Sequence, residues 1–103
     1  MILVSRAAGQ SIVLQELFLL TVIAINNTDI HIHLSEKIRG RLTSFEQGVD
    51  SILPLHDVIP LSHGASLSLH AIRKNKAILA FNGLAANELH RKEAYDTLHG
   101  LTD

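Results

Sequence analysis

The sequence predicts a mainly β domain closed by one C-terminal helix. Three observations carry that expectation. Ile30-His31-Ile32-His33-Leu34 alternates with period two, which gives a strand one buried and one polar face. Two stretches, residues 17–34 and 67–81, each read as an apolar run, a polar turn and a second apolar run, the pattern of a hairpin. Helix signals gather only after Asn87.

The elements follow in order. Residues 2–5 are a short apolar run ended by Arg6-Ala7-Ala8-Gly9, and residues 11–14 are another, so Gly9 marks a turn between two strands. Residues 17–25 are rich in β-branched and large apolar side chains, and Asn26-Asn27-Thr28-Asp29 supplies turn chemistry before residues 30–34 return. Pro54 and Pro60 lack a backbone N–H, so residues 52–61 are expected to form an edge or an irregular connection. Residues 67–72 and 77–81 form the second hairpin around Arg73-Lys74-Asn75-Lys76. Asn87 is a candidate helix cap, Glu88 and Glu93 suit the first turns, and Gly100 closes a helix whose body lies at about 92–99.

Composition narrows the function. With 103 residues, 47% of them apolar and 18% charged, the chain is long enough for one folded domain, 1–103, and too apolar for disorder. Nine Lys and Arg stand against ten Asp and Glu, a formal charge of −1, so binding to a polyanion requires a local basic patch. No cysteine is present, which excludes disulfides, thiolate zinc sites and a cysteine nucleophile and fits a reducing compartment. Residues 12–25, the most apolar stretch, contain Gln15, Glu16 and Thr21 and fall short of the roughly 20 apolar residues of a membrane span. The N-terminus places its apolar residues before its first cation, the reverse of an export signal. A soluble cytoplasmic protein is expected.

Catalytic constellations do not stand out. Ser5 and Ser62-His63-Gly64 lack a nucleophile elbow, no glycine loop cradles a phosphate, and no spaced pair of carboxylates is present. His31 and His33 share a strand face, but a metal needs a third or fourth ligand, and His56, His63 and His70 are not placed by sequence. No enzyme, cofactor or metal is expected. Lys37, Arg39 and Arg41 form one basic cluster and Arg73, Lys74 and Lys76 another; both could contact phosphates, but such residues are more often simply solvated surface.

The two hairpins align with each other. Setting Ile25 on Ile72 gives an offset of 47 residues that runs without a gap from Met1 on Gly48 to Gln47 on Ala94. Identities are Ile12/Ile59, Leu14/Leu61, Leu20/Leu67, Ala24/Ala71, Ile25/Ile72, Leu42/Leu89 and Glu46/Glu93. Strand, turn and strand coincide in this register, so halves 1–47 and 48–94 are expected to build one pseudo-symmetric core.

Two pieces of the chain carry a family resemblance. Met1-Ile2-Leu3-Val4-Ser5-Arg6-Ala7-Ala8-Gly9, continuing to Leu14, resembles the opening strand and turn of the carbon storage regulators, small bacterial RNA-binding translational regulators. Residues 67–82 and Leu89-His90-Arg91-Lys92-Glu93-Ala94-Tyr95 are similar to that family's second half and its closing Val-His-Arg-Glu-Glu-Ile-Tyr signature, with no gap between Ile72 and Leu98. Residues 37–61 are covered only through the repeat register.

The resemblance implies a fold and a site. In the family, two identical five-stranded chains interleave, and each RNA site pairs the first strand of one chain with the last strand of the other. This chain would then be a regulator-like pseudo-dimer of interleaved antiparallel or mixed sheets with one C-terminal helix. Its target would be mRNA or a small regulatory RNA, read at a GGA in a hairpin loop, commonly over a ribosome-binding site where binding represses translation. Carried over by position, Val4 and Arg6 supply one wall, and Leu89, His90 and Arg91 the other. Ala7 stands where the family has a second basic residue, and Lys92 stands where it has Glu, so one phosphate contact is missing and Lys92 returns part of the charge.

The second site reads differently. In the repeat register Arg6 corresponds to Leu53 and Arg91 to Ser44, and residues 42–46 read Leu-Thr-Ser-Phe-Glu, without His or Arg. One retained site in a monomeric pseudo-dimer is therefore expected; a homodimer, or a heterodimer with a regulator paralogue, is the alternative assembly. An Arg pairs bidentately with guanine or stacks on a base, with Lys a less directional partner, but Arg6, Arg91 and Lys92 form a patch only if the chain ends meet. Otherwise Arg6 is a solvated turn residue and Arg91 and Lys92 a polar helix face. One Tyr and three Phe make no stacking platform, leaving base reading to backbone groups and Arg. The rival function is a degenerate interaction module that has lost RNA binding: Ala7 and the near-neutral charge favour it, while Arg6 and His90-Arg91 favour RNA.

Overall fold

A computed structural model describes residues 1–36 and 48–98. Among these residues the alternating and apolar runs become nine strands in two antiparallel sheets, with one short helix after them. The strands are β1 (Ile2–Ala7), β2 (Ser11–Leu14), β3 (Phe18–Ile25), β4 (Asp29–Glu36), β5 (Val49–Pro54), β6 (Val58–Pro60), β7 (Ser66–Arg73), β8 (Lys76–Asn82) and β9 (Leu89–Arg91); helix α1 is Lys92–Leu98. No helix among the described residues is long and apolar enough to cross a membrane.

The strand order is interleaved. One sheet runs β1-β8-β7-β6 and the other β5-β4-β3-β2-β9, so β1 leaves its sequence neighbours for β8, β5 joins β4, and β9 returns to β2. Apart from an isolated parallel bridge between Leu55 and Leu69, the pairings are antiparallel. The core forms between the sheets, where Val4, Leu67, Leu69, Leu79 and Phe81 of one meet Ile12, Leu14, Leu20, Ile30, Ile32 and Leu53 of the other. Each such side chain contributes about 1.5–3 kcal/mol on burial.

Some residues 47 apart share backbone geometry. Gly9 and His56 both take a positive φ, 87° and 69°, and Glu16 and His63 do so at 53° and 59°. The Gly9 N–H donates to the Val22 carbonyl at 2.7 Å, and the His56 N–H to the Leu69 carbonyl at 2.8 Å. The register of β3 on β4 shifts between Val22 and Ala24, and that of β7 on β8 between Leu69 and Ala71. The hairpin tips differ. Asn26 and Asp29 bond backbone to backbone and side chain to side chain, whereas Lys74 and Asn75, at φ 52° and 61°, form the two-residue left-handed turn that suits strand twist.

Both prolines lie at the ends of strands on the outer edges of their sheets, and an edge is where a missing N–H is least costly. Two boundaries depart from the local reading. β1 does not stop at Ser5, because Arg6 pairs with Ala77 and Ala7 with Lys76, and this ladder outweighs the turn signals. Asn87 caps no α-helix: it lies in a 3-10 turn, Ala86–Glu88, and residues 89–91 are then drawn out along the edge of β2, so the helix begins at Lys92. Lys37, Arg39, Arg41, residues 42–46 with Ser44, and Gly100 lie outside the described residues.

Candidate nucleic-acid interface

β1 and the segment from β9 into α1 meet. Along β1 the side chains of Ile2, Val4 and Arg6 point inward, because paired residues Phe81, Leu79 and Ala77 face the core. From the other sheet, β9 brings Leu89, His90 and Arg91 opposite Leu14, Val13 and Ile12. Val4 and Leu89, His90, Arg91 and Ala94 line one cleft of about 280 Å³. Beside it, Arg6, Gln10, Ser11, Lys92, Glu93 and Asp96 border a second of about 250 Å³.

Arg6 is not a solvated turn residue; it is 5% exposed. Its Nη1 donates to Glu93 Oε1 at 2.8 Å and to the Ser11 carbonyl at 3.2 Å, and its Nε to the Ser5 carbonyl at 3.0 Å. A guanidinium withdrawn from water needs such acceptors, and they hold its plane fixed. Glu93, largely exposed, has its carboxyl held below the ordinary range by its own backbone N–H and then by the Arg6 guanidinium. The contribution of this pair is therefore complete above the unfolded-state range and is lost as pH falls through the lowered folded value. Urea midpoints taken from about pH 6 down to about pH 2 should fall less steeply in Glu93→Gln than in the wild type; parallel curves would remove Glu93 from the acid transition.

The remaining residues take distinct positions. His90 Nε2 lies 3.0 Å from the Asn87 carbonyl, and its ring sits 6.3 Å from that of Tyr95 at 50°. Lys92 is paired with Asp96 one helical turn on, so its charge is not free. Arg91 belongs to β9 rather than to a helix face; it is exposed and in no ion pair among the described residues. β1 and β9 each end a sheet, so each has a backbone edge without a strand partner among the described residues. Backbone donors and acceptors beside one free guanidinium suit the edges of unstacked bases.

Sequence signals give Glu93 a place in a helical turn, in the repeat register and in the closing motif, and none of them pairs it with Arg6. Gln10, Ser11 and Asp96 were likewise unmarked; the nearest signal was the adjacency of Glu93 to Arg91-Lys92. At the position 47 residues from Arg6, Leu53 is buried in the core and supplies no charge.

His31 and His33 lie side by side on β4 and flank Asp50 of β5. His33 Nδ1 is 2.5 Å from Asp50 Oδ1, and His31 Nε2 is 3.8 Å from Oδ2. Asp50 is held below its ordinary range chiefly by the hydrogen bond from His33. Among the described residues, no group of three His, Asp or Glu side chains is disposed to hold a metal ion. Comparison of the chain with protein-family models, with curated proteins and with solved structures gives no match.

Proposed function

We propose that this protein is a post-transcriptional regulator that binds a GGA-containing RNA hairpin loop through one site between β1 and β9. The observation that supports it most is the meeting of Val4 with Leu89, His90 and Arg91 on a single cleft, with Arg91 free at the strand edge. In this reading the chain is a divergent, tandem fused pseudo-dimer of the carbon storage regulator family. Its interleaved strand order and the shared backbone geometry at a spacing of 47 support that assignment. Arg91 pairs with guanine, Leu89 to Arg91 offer backbone groups to the loop bases, and Arg6 with Glu93 fixes the helix that backs them. Lys92, held by Asp96, serves the fold first and the phosphate second.

One observation favours the rival reading, a module that binds protein and not RNA: the most buried cation of the site is already neutralised by Glu93. Titration decides between them. Arg91→Ala should weaken binding to a GGA stem-loop by about 1–3 kcal/mol, roughly 5- to 150-fold, and relax discrimination against a changed guanine. Unchanged binding discards the site, and no binding by the wild type discards RNA. A solution mass taken on the same sample distinguishes a monomer with one RNA from an assembly of two chains.

A further inference from the structure

The described residues contain six Lys and Arg: Arg6, Arg73, Lys74, Lys76, Arg91 and Lys92. Arg6 and Lys92 are neutralised by Glu93 and Asp96. The other four are exposed, and none has an ion-pair partner among the described residues. Their placement is not scattered. Lys76 is the partner of Ala7 at the end of β1, and Arg73 is the partner of Lys76 across the β7–β8 turn. Arg91 is the partner of Ile12, just beyond the turn that joins β1 to β2. The turn at residues 8–10 is thus bracketed by Lys76 on one side and Arg91 on the other.

Directly opposed residues of an antiparallel pair project to the same face, about 4.5–5.5 Å apart. Lys76 therefore presents its ammonium on the face of Ala7, where β1 itself offers no charge. Arg73 continues the row on the next strand, and Lys74 stands at its tip. This arrangement works against the fold, since like charges directly opposite one another destabilise a sheet. The fold does not require it either. The hairpin 47 residues earlier turns through Asn26, Asn27, Thr28 and Asp29 without a cation.

We propose that the β7–β8 hairpin tip is a phosphate-binding surface that receives the single-stranded RNA flanking the loop. Lys76 takes the phosphate that Ala7 cannot, and Lys74 and Arg73 take those that follow. The proposal rests on the RNA-binding reading of the cleft and adds a direction to it. The strand leaves Arg91, crosses the β1–β2 turn and runs out along the hairpin.

The test compares the wild type with the triple variant Arg73→Gln, Lys74→Asn, Lys76→Gln. Asn is chosen at Lys74 because it tolerates the left-handed backbone there. The thermal midpoint should hold or rise, as like charges are removed; if the triple variant unfolds, Lys76→Gln alone replaces it. Two RNAs are titrated against salt: a minimal GGA stem-loop, and the same loop with single-stranded flanks. The wild type should bind the flanked RNA more tightly and with a steeper dependence on salt. Each phosphate contact in a single strand adds about 0.7 to the slope, so three cations account for about 2. The variant should lose that extra slope and the flank's gain while keeping its grip on the minimal loop. Arg91→Ala should weaken both RNAs alike.

The inference is overturned if the variant keeps the flank's gain, or if the flank adds nothing to a wild type that binds the loop through Arg91. It is also overturned if phosphatidylserine vesicles, and not RNA, lose affinity on substitution. Failure of the wild type to bind either RNA removes the proposed function and this inference with it.

Discussion

Tyr95→Ala should cost about 3–5 kcal/mol of stability and detach the helix that backs the cleft between β1 and β9. Tyr95 is fully buried, the largest such side chain among the described residues. It sits in a helix of seven residues, far below the length at which a helix holds together in water. What keeps α1 formed is packing on β2 and β9, where Tyr95 is its fully buried side chain among the described residues. Its ring also backs His90, so the loss reaches β9. A domain of this size is stable by only about 5–15 kcal/mol, so the urea midpoint should fall by a large fraction. Tyr95→Phe, which keeps the ring, should retain most of the stability. An alanine variant with the wild-type midpoint would mean that α1 is held by something other than its tyrosine.

The second large effect is an absence of gain. An RNA carrying two GGA loops should bind this chain no more tightly than an RNA carrying one, at protein concentrations where it is a monomer. Two working sites joined by one RNA would raise apparent affinity about 10²- to 10⁴-fold. Leu53 occupies the place corresponding to Arg6 and is sealed in the core opposite Ile30, so the second position offers no cation. Gel-shift titrations with the two RNAs measure the difference directly. A clear gain by the monomer would require a second site and end the single-site reading.

What the sequence disclosed, and what it hid, divides along the range of the forces involved. The alternation at residues 30–34 places Ile30 and Ile32 inward with no knowledge of the partner strand, because the face of a strand is a local property. Pro54 and Pro60 announce edges for the same reason: each lacks a donor wherever the chain goes. The burial of Arg6 depends on Glu93, 87 residues away, and nothing near Arg6 encodes it. Asn87 offers sound helix chemistry, yet two residues beyond it the edge of β2 imposes an extended backbone. The neighbourhood of Ala7 and Lys76 is of the same kind: two unremarkable positions become one surface only through the register of β1 on β8.

The interleaved strand order also governs how the chain comes to be folded. β1, at the N-terminus, has β8 as its strand partner among the described residues, and β9 completes the sheet that begins with β2. During synthesis β1 therefore waits, with Ile2 and Val4 uncovered, until β8 has left the ribosome. Closure of so long a loop precedes any reward from the contacts it makes, which places this domain among slow folders despite its modest size. A nascent chain halted within β7 holds an open apolar edge, and in the company of other such chains that edge pairs between molecules instead of within one. The exposure of that edge should be felt first in the yield of soluble protein.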